Sequence, residues 1–146
     1  MDQEQAARLT YEAIAHAVAG EADQAATNLI TLGQGSDDNQ MYGVCCAIAE
    51  AGAHMLRKIY GDRAPKTPDE GMWAIQPLKP GAVDENPPKA FAVRFLIAYA
   101  NGDQQTTLAL FNAALHSDGN QYVDSVCALL ADVAGITRLA IDQRTT

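Results

Sequence analysis

A chain of 146 residues, 48% of them hydrophobic, is long enough to bury a core as one compact domain without disulfides or structural metals. Its net charge of −8 divides into −5 over residues 1–60, −1 over 61–89 and −2 over 90–146. No segment therefore carries the positive footprint of a nucleic-acid binder or of a ligand for anionic membranes. No apolar run reaches the roughly 18 residues of a membrane span, and no basic, apolar leader opens the chain. Three cysteines, two of them adjacent (Cys45, Cys46) and one distant (Cys127), do not form a disulfide framework, which points to a reducing cytoplasm. Aromatics are only 6% of the chain and alanine is abundant, which predicts closely approaching helices rather than a core of large side chains.

Residues 2–19 carry Leu9, Ala13, Ile14, Ala17 and Val18 at helical spacing, with Asp2 and Glu4 at the end where the helix dipole favours acid. Gly20 ends this first helix. A second, from about Glu21 to Leu32, turns Ala22, Ala25, Ala26, Leu29 and Leu32 inward, and Gly33 and Gly35 are expected to stop it. Ser36 or Asp37 caps a third and longer helix, whose apolar face runs through Met41, Val44, Cys45, Ile48, Gly52, Met55, Leu56 and Ile59 to Tyr60-Gly61. Glu50 is the sole charge between Gly43 and Ala53, so this helix is expected to be covered on several sides.

All six prolines fall between Gly61 and Pro88, a density that excludes a helix. The segment also holds Trp73 in the apolar cluster Met72-Trp73-Ala74-Ile75, which predicts a strap lying across the helices with Trp73 docked against them. A fourth helix (about Pro88 to Ala100) carries Phe91, Phe95, Leu96 and Tyr99, and Gly102 ends it. A fifth (about Asp103 to Leu115) presents Thr107, Leu108, Phe111 and Leu115. A sixth (Asp118 to about Ile141) presents Val123, Val126, Cys127, Leu130, Val133, Ala134 and Ile141.

The chain repeats itself. Residues 36–57, SDDNQMYGVCCAIAEAGAHMLR, align without a gap to residues 117–138, SDGNQYVDSVCALLADVAGITR, with 8 identities in 22 positions. Gly20 and Gly102 align at an offset of 82 rather than 81, so one loop residue separates the copies there. The expected fold is a single all-α domain of about six helices, in two pseudo-repeated three-helix halves (residues 1–60 and 89–146) joined by the proline-rich strap 61–88. The two long helices are expected to pack against each other or against those of a second chain.

The segments AVAGEADQAATNL and YANGDQQTTLALF resemble the glycine turn of a tetratricopeptide hairpin over roughly 20 residues per half, without that motif's aromatic and proline positions. The alanine-rich helical texture as a whole is similar to small helical proteins of actinobacteria and their phages. That resemblance implies an all-helical fold and transfers no residue role.

Two Glu–His pairs stand at i, i+4 spacing, Glu12/His16 and Glu50/His54, so each pair shares a helix face and the four are the candidate metal ligands. Surface pairing is the simpler account, because the second half places Arg94 and Ala98 where the first has Glu12 and His16. Glu50 and Asp132, each the single charge in an apolar helix middle, must reach solvent, find a partner or hold a proton. Ser and Asp of the repeated motif are explained by capping. Asn39, Gln40, Asn120 and Gln121 are not, and with Trp73 they are candidate interaction residues. No phosphate loop, zinc cysteine cluster or nucleophile elbow is present, and no cofactor is expected. The function expected is that of a non-enzymatic helical interaction or scaffold protein that self-associates as a homodimer. The alternatives are a helical metal or small-ligand binder using the Glu/His pairs, and an acidic decoy for a basic or DNA-handling protein.

Overall fold

The computed structural model describes residues 1–61 and 86–145. The proline-rich strap from 62 to 85, with Trp73 and its expected docking, lies outside the described residues. Among those described the protein is all-α, with six helices: α1 (Gln3–Val18), α2 (Ala22–Gly35), α3 (Asp38–Tyr60), α4 (Pro87–Ala100), α5 (Gln104–Leu115) and α6 (Gln121–Thr145).

Local chemistry sets most of the boundaries. The Asp2 carboxylate accepts from Gln5 N at 2.7 Å at the start of α1, and Asp37 accepts from Gln40 N at 2.8 Å at the start of α3. Asn86 accepts from Lys89 N at 3.0 Å, with Pro87 and Pro88 in the first turn of α4, where a missing N–H costs nothing. Asp103 caps α5 through Thr106 N at 3.2 Å. Gly20 and Gly102 take φ of 82° and 74° at the two hairpin turns, a conformation that side-chain-bearing residues adopt at a cost.

Two expected boundaries are wrong. Helix α2 runs through Gly33 to Gly35, because Met1 covers its end: the Met1 amine donates to Gly35 O at 2.8 Å. Helix α6 begins two residues later than the repeat implies. Gly119 stands where the first copy has Asp38, takes φ of 63° and bends the chain, so Asp118 does not cap the helix as its counterpart Asp37 does.

The two halves are arranged alike. Helix α1 packs on α2, α3 and α6, and its counterpart α4 packs on α5, α6 and α3. The long helices α3 and α6 pack directly against each other. Their small residues are used within one chain: Ala49, Gly52, Ala53, Val133 and Ala134 are all buried. That removes the motive for expecting a second copy to cover them. Among the described residues no helix is long and apolar enough to cross a membrane.

The cores of the halves differ in kind. The α1–α2 hairpin meets through Ala6, Ala13, Ala25, Leu29 and Leu32, as the composition predicts. The second half instead builds an aromatic chain. Phe91 and Phe95 lie 5.3 Å apart, and Tyr42 from α3 sits edge-on to Phe95 at 6.3 Å and to Phe111 at 5.6 Å. Phe111 continues to Tyr122 at 5.9 Å. Leu108, Val123 and Ile141, expected inside, face outward, since α5 buries Thr107, Phe111 and Ala114 and α6 buries the row Ser125, Val126, Leu129, Val133 and Thr137.

At the α3–α6 crossing, a methyl added to Gly52 would lie 2.8 Å from Val133 Cγ2 and 3.0 Å from Leu96 Cδ1. Glycine normally costs a helix about 1 kcal/mol relative to alanine. Here the fully buried, stiff Val133 cannot yield, and overpacking costs about 1–3 kcal/mol. Gly52→Ala should therefore lower stability by about 1 kcal/mol in urea denaturation. In a Val133→Ala background the same substitution should be neutral or stabilising, and equal losses in both backgrounds would contradict the close approach.

Candidate functional site

Two clefts of similar size occupy corresponding places in the two halves. One lies between α3 and the α4–α5 turn, has a volume of about 410 Å³, and is lined by Tyr42, Cys46, Glu50, Arg57, Tyr99 and Thr107 among others. The other lies between α6 and the α1–α2 turn, has a volume of about 390 Å³, and is lined by Ala17, Ala25, Cys127, Ala131, Ala134 and Arg138 among others. At the repeat offsets, Cys46 corresponds to Cys127, Arg57 to Arg138 and Gly102 to Gly20. The remaining positions diverge in one direction. Tyr42 stands where the second copy has Val123, and Glu50 where it has Ala131. Across from them, Tyr99 and Thr107 stand where the first hairpin has Ala17 and Ala25. One cleft is thus polar and the other is walled mainly by alanine.

The polar cleft is a connected network. Thr107 Oγ1 donates to Gln104 O at 2.9 Å, which leaves its oxygen to accept from the Tyr42 hydroxyl at 2.7 Å. Burial raises the Tyr42 hydroxyl above its ordinary range, with the Thr107 hydrogen bond pulling the other way and Cys46 adding to the rise. Burial, together with Glu50 as its hydrogen-bond partner, pushes Tyr99 up to about 12. Cys46 is raised by burial despite its hydrogen bond to Tyr42. Beside it, Cys45 is fully buried and pushed up to about 12. At neutral pH the wall therefore presents neutral hydroxyls and thiols, with Glu50 and Arg57 as an exposed pair 3.8 Å apart. At the rim, the Asp103 carboxyl is held below its usual range by hydrogen bonds from the Thr106 hydroxyl and amide, so it stays ionised.

The corresponding arginines behave differently. In the apolar cleft, Arg138 Nε donates to Val18 O at 3.0 Å and Nη2 donates to Ala17 O, so its guanidinium covers the last carbonyls of α1. In the polar cleft, Arg57 is drawn to Glu50 instead. The matching carbonyls at the end of α4, Tyr99 O and Ala100 O, have no side-chain donor among the described residues.

The four candidate metal ligands are not brought together. Glu12 pairs with Arg8 at 3.9 Å, and His16 Nδ1 meets Glu21 Oε1 at 2.9 Å. Glu50 faces Tyr99 and Arg57, and His54 is exposed. Among the described residues no three His, Cys, Asp or Glu side chains are placed to share a metal ion. Glu12, His16 and Glu50 each meet a nearer partner and His54 faces outward, so the four do not form the expected four-ligand site. Nor do Glu50 and Asp132 form an acid pair. Glu50 bonds to Tyr99 in the last turn of α4, whereas Asp132 feels Lys89 in its first turn, and ten residues of helix separate those ends by about 15 Å. Of the interaction candidates, Gln40 is used internally, with Nε2 donating to Met1 O at 2.9 Å. Gln121 lines a third, smaller cleft beside Ser125, and Asn39 and Asn120 are exposed.

Tyr42, Tyr99, Asp103 and Thr107 were absent from the expected site. Their signal in the sequence is the set of aligned positions at which the two copies differ, rather than the identities that reveal the repeat. Comparison with known proteins finds no matching family model, no similar curated protein and no similar solved structure.

Burial raises the Asp132 carboxyl above its usual range, partly offset by Lys89. A raised acid binds its proton more tightly in the folded state, so stability falls as pH rises from the unfolded value of about 3.9 through the folded one, and stays reduced at neutral pH. Asp132→Asn should raise Tm at pH 7, and its advantage over the parent should shrink as the pH is lowered below about 4. An advantage that does not change with pH would show that burial of the charge is not its source.

Proposed function

We propose that this protein is a non-catalytic helical recognition module whose binding surface is the polar cleft between α3 and the α4–α5 turn. The observation that carries this reading is the divergence of two equivalent clefts on one repeated scaffold. Where packing alone is required, in the apolar cleft, alanine suffices; the polar cleft holds two tyrosines, a threonine and a glutamate at matching positions. Its volume of about 410 Å³ falls within the roughly 300–1,000 Å³ typical of small-ligand clefts.

The chemistry of its walls favours binding over catalysis. Tyrosine hydroxyls held protonated, with Tyr99 at about 12, and a thiol raised by burial are hydrogen-bonding groups at neutral pH rather than nucleophiles. The Glu50–Arg57 pair is exposed, so it costs little to rearrange when a ligand arrives.

Amide correlation NMR spectra recorded against a library of small charged and polar ligands test the assignment. The resonances that move should cluster at Tyr42, Cys46, Glu50, Tyr99 and Thr107. Perturbations centred on Ala26 and Ala131 in the other cleft, or none from any ligand, would overturn it.

A further inference from the structure

We propose that the polar cleft binds a guanidinium group, seated on the carboxy-terminal carbonyls of α4 and paired with Glu50. The inference rests on the recognition reading above and names its ligand chemistry. The protein holds an internal precedent. In the equivalent cleft a guanidinium already occupies the equivalent place, with Arg138 donating from Nε to Val18 O and from Nη2 to Ala17 O at the end of α1. The turn geometry there is repeated in the polar cleft. Glu21 N bonds to His16 O at 2.8 Å in the first hairpin, and Asp103 N bonds to Ala98 O at 2.8 Å in the second, with Gly20 and Gly102 in the same left-handed conformation. Two carbonyls at a helix end, displayed in the same way, form a ready acceptor pair for a planar cation.

What differs is the chain's own arginine. Arg57, the counterpart of Arg138, leans 3.8 Å from Glu50, and no side-chain donor among the described residues reaches Ala100 O. Among the described residues the acceptor pair is therefore left for a second guanidinium to meet. The surrounding groups suit it: Glu50 replaces an alanine of the other cleft, Asp103 stays ionised at the rim, and Tyr99 borders the same space. The net charge of −8 favours approach by a cation over long range. Planarity and parallel N–H groups distinguish guanidinium from ammonium at two adjacent carbonyls, so arginine is expected to bind better than lysine.

The guanidinium has two possible sources, a free small molecule or an arginine side chain on a partner protein, and the test separates them. The full chain is titrated at low salt with arginine methyl ester, with a blocked Gly-Arg-Gly peptide, and with the same peptide carrying lysine or citrulline, by amide correlation NMR. Saturable shifts at Glu50, Ala100, Gly102, Gln104 and Thr107 are expected with the arginine ligands, weaker ones with lysine and none with uncharged citrulline. A peptide that binds tighter than the ester identifies a protein partner, and equal affinities identify a small molecule. Glu50→Gln should weaken binding about fivefold, the scale of a partly exposed ion pair. Citrulline binding as well as arginine, or arginine shifts centred on Ala26 and Ala131, would overturn the proposal. If other ligands move the polar cleft and no guanidinium does, this inference fails while the recognition reading stands.

Discussion

The fold depends on one missing side chain. Helices α3 and α6 cross where Gly52 faces Val133, and the methyl that Gly52 lacks would lie within 2.8 Å of a fully buried, stiff side chain. This contact fixes the distance between the long helices. Ile48 and Leu129, both wholly buried, fill the seam on one side of it, and Leu96 reaches into it from α4. Once the central pair is set, each hairpin has one place to lie. It packs along one long helix and leans its turn against the other, and that lean creates the two clefts. The clefts are thus a by-product of packing short hairpins onto longer central helices.

A scaffold that makes two similar hollows can hold one as structure and spend the other on recognition. The apolar hollow is stabilised by Arg138, which covers the end of α1 across the gap and ties the first hairpin to α6. In the polar hollow Glu50 competes for the corresponding arginine, and among the described residues no side chain donates to the last carbonyls of α4. The change from Ala131 to Glu50 at one repeat position therefore has a consequence beyond adding a charge, because it redirects a second side chain already present. Tyr42 and Tyr99 extend the effect, since their hydroxyls face the cleft while the Tyr42 ring packs into the aromatic core beneath it.

Much of the scaffold was legible in the sequence, because it follows from local rules and from the repeat. The apolar spacing located six helices, Asp37 capped α3, and Gly20 and Gly102 turned the hairpins. The failures came where a distant or single-residue effect overrode a local rule. Gly33 and Gly35 do not stop α2, because Met1 folds back over its end, a contact 34 positions away. Asp118 does not cap α6, because Gly119 in place of Asp38 bends the first turn out of line. The site was less legible for the same reason. An i, i+4 spacing shows that Glu50 and His54 share a face, but not that Glu50 meets Tyr99 from a hairpin nearly fifty residues on.

The Gly52–Val133 contact also has a consequence for what kind of molecule this fold can be. These two residues occupy the same position in their respective halves, and they touch each other. In a symmetric dimer of identical halves, a position that meets its own counterpart must carry the same residue on both sides of the two-fold axis. Glycine against glycine would leave a void there, and valine against valine would collide at this separation. Glycine opposite valine fills the space, and that pairing is open only to halves encoded as different stretches of one chain. Covalent fusion is therefore a packing requirement of this crossing as well as a tether, and the same freedom lets one hollow differ from the other.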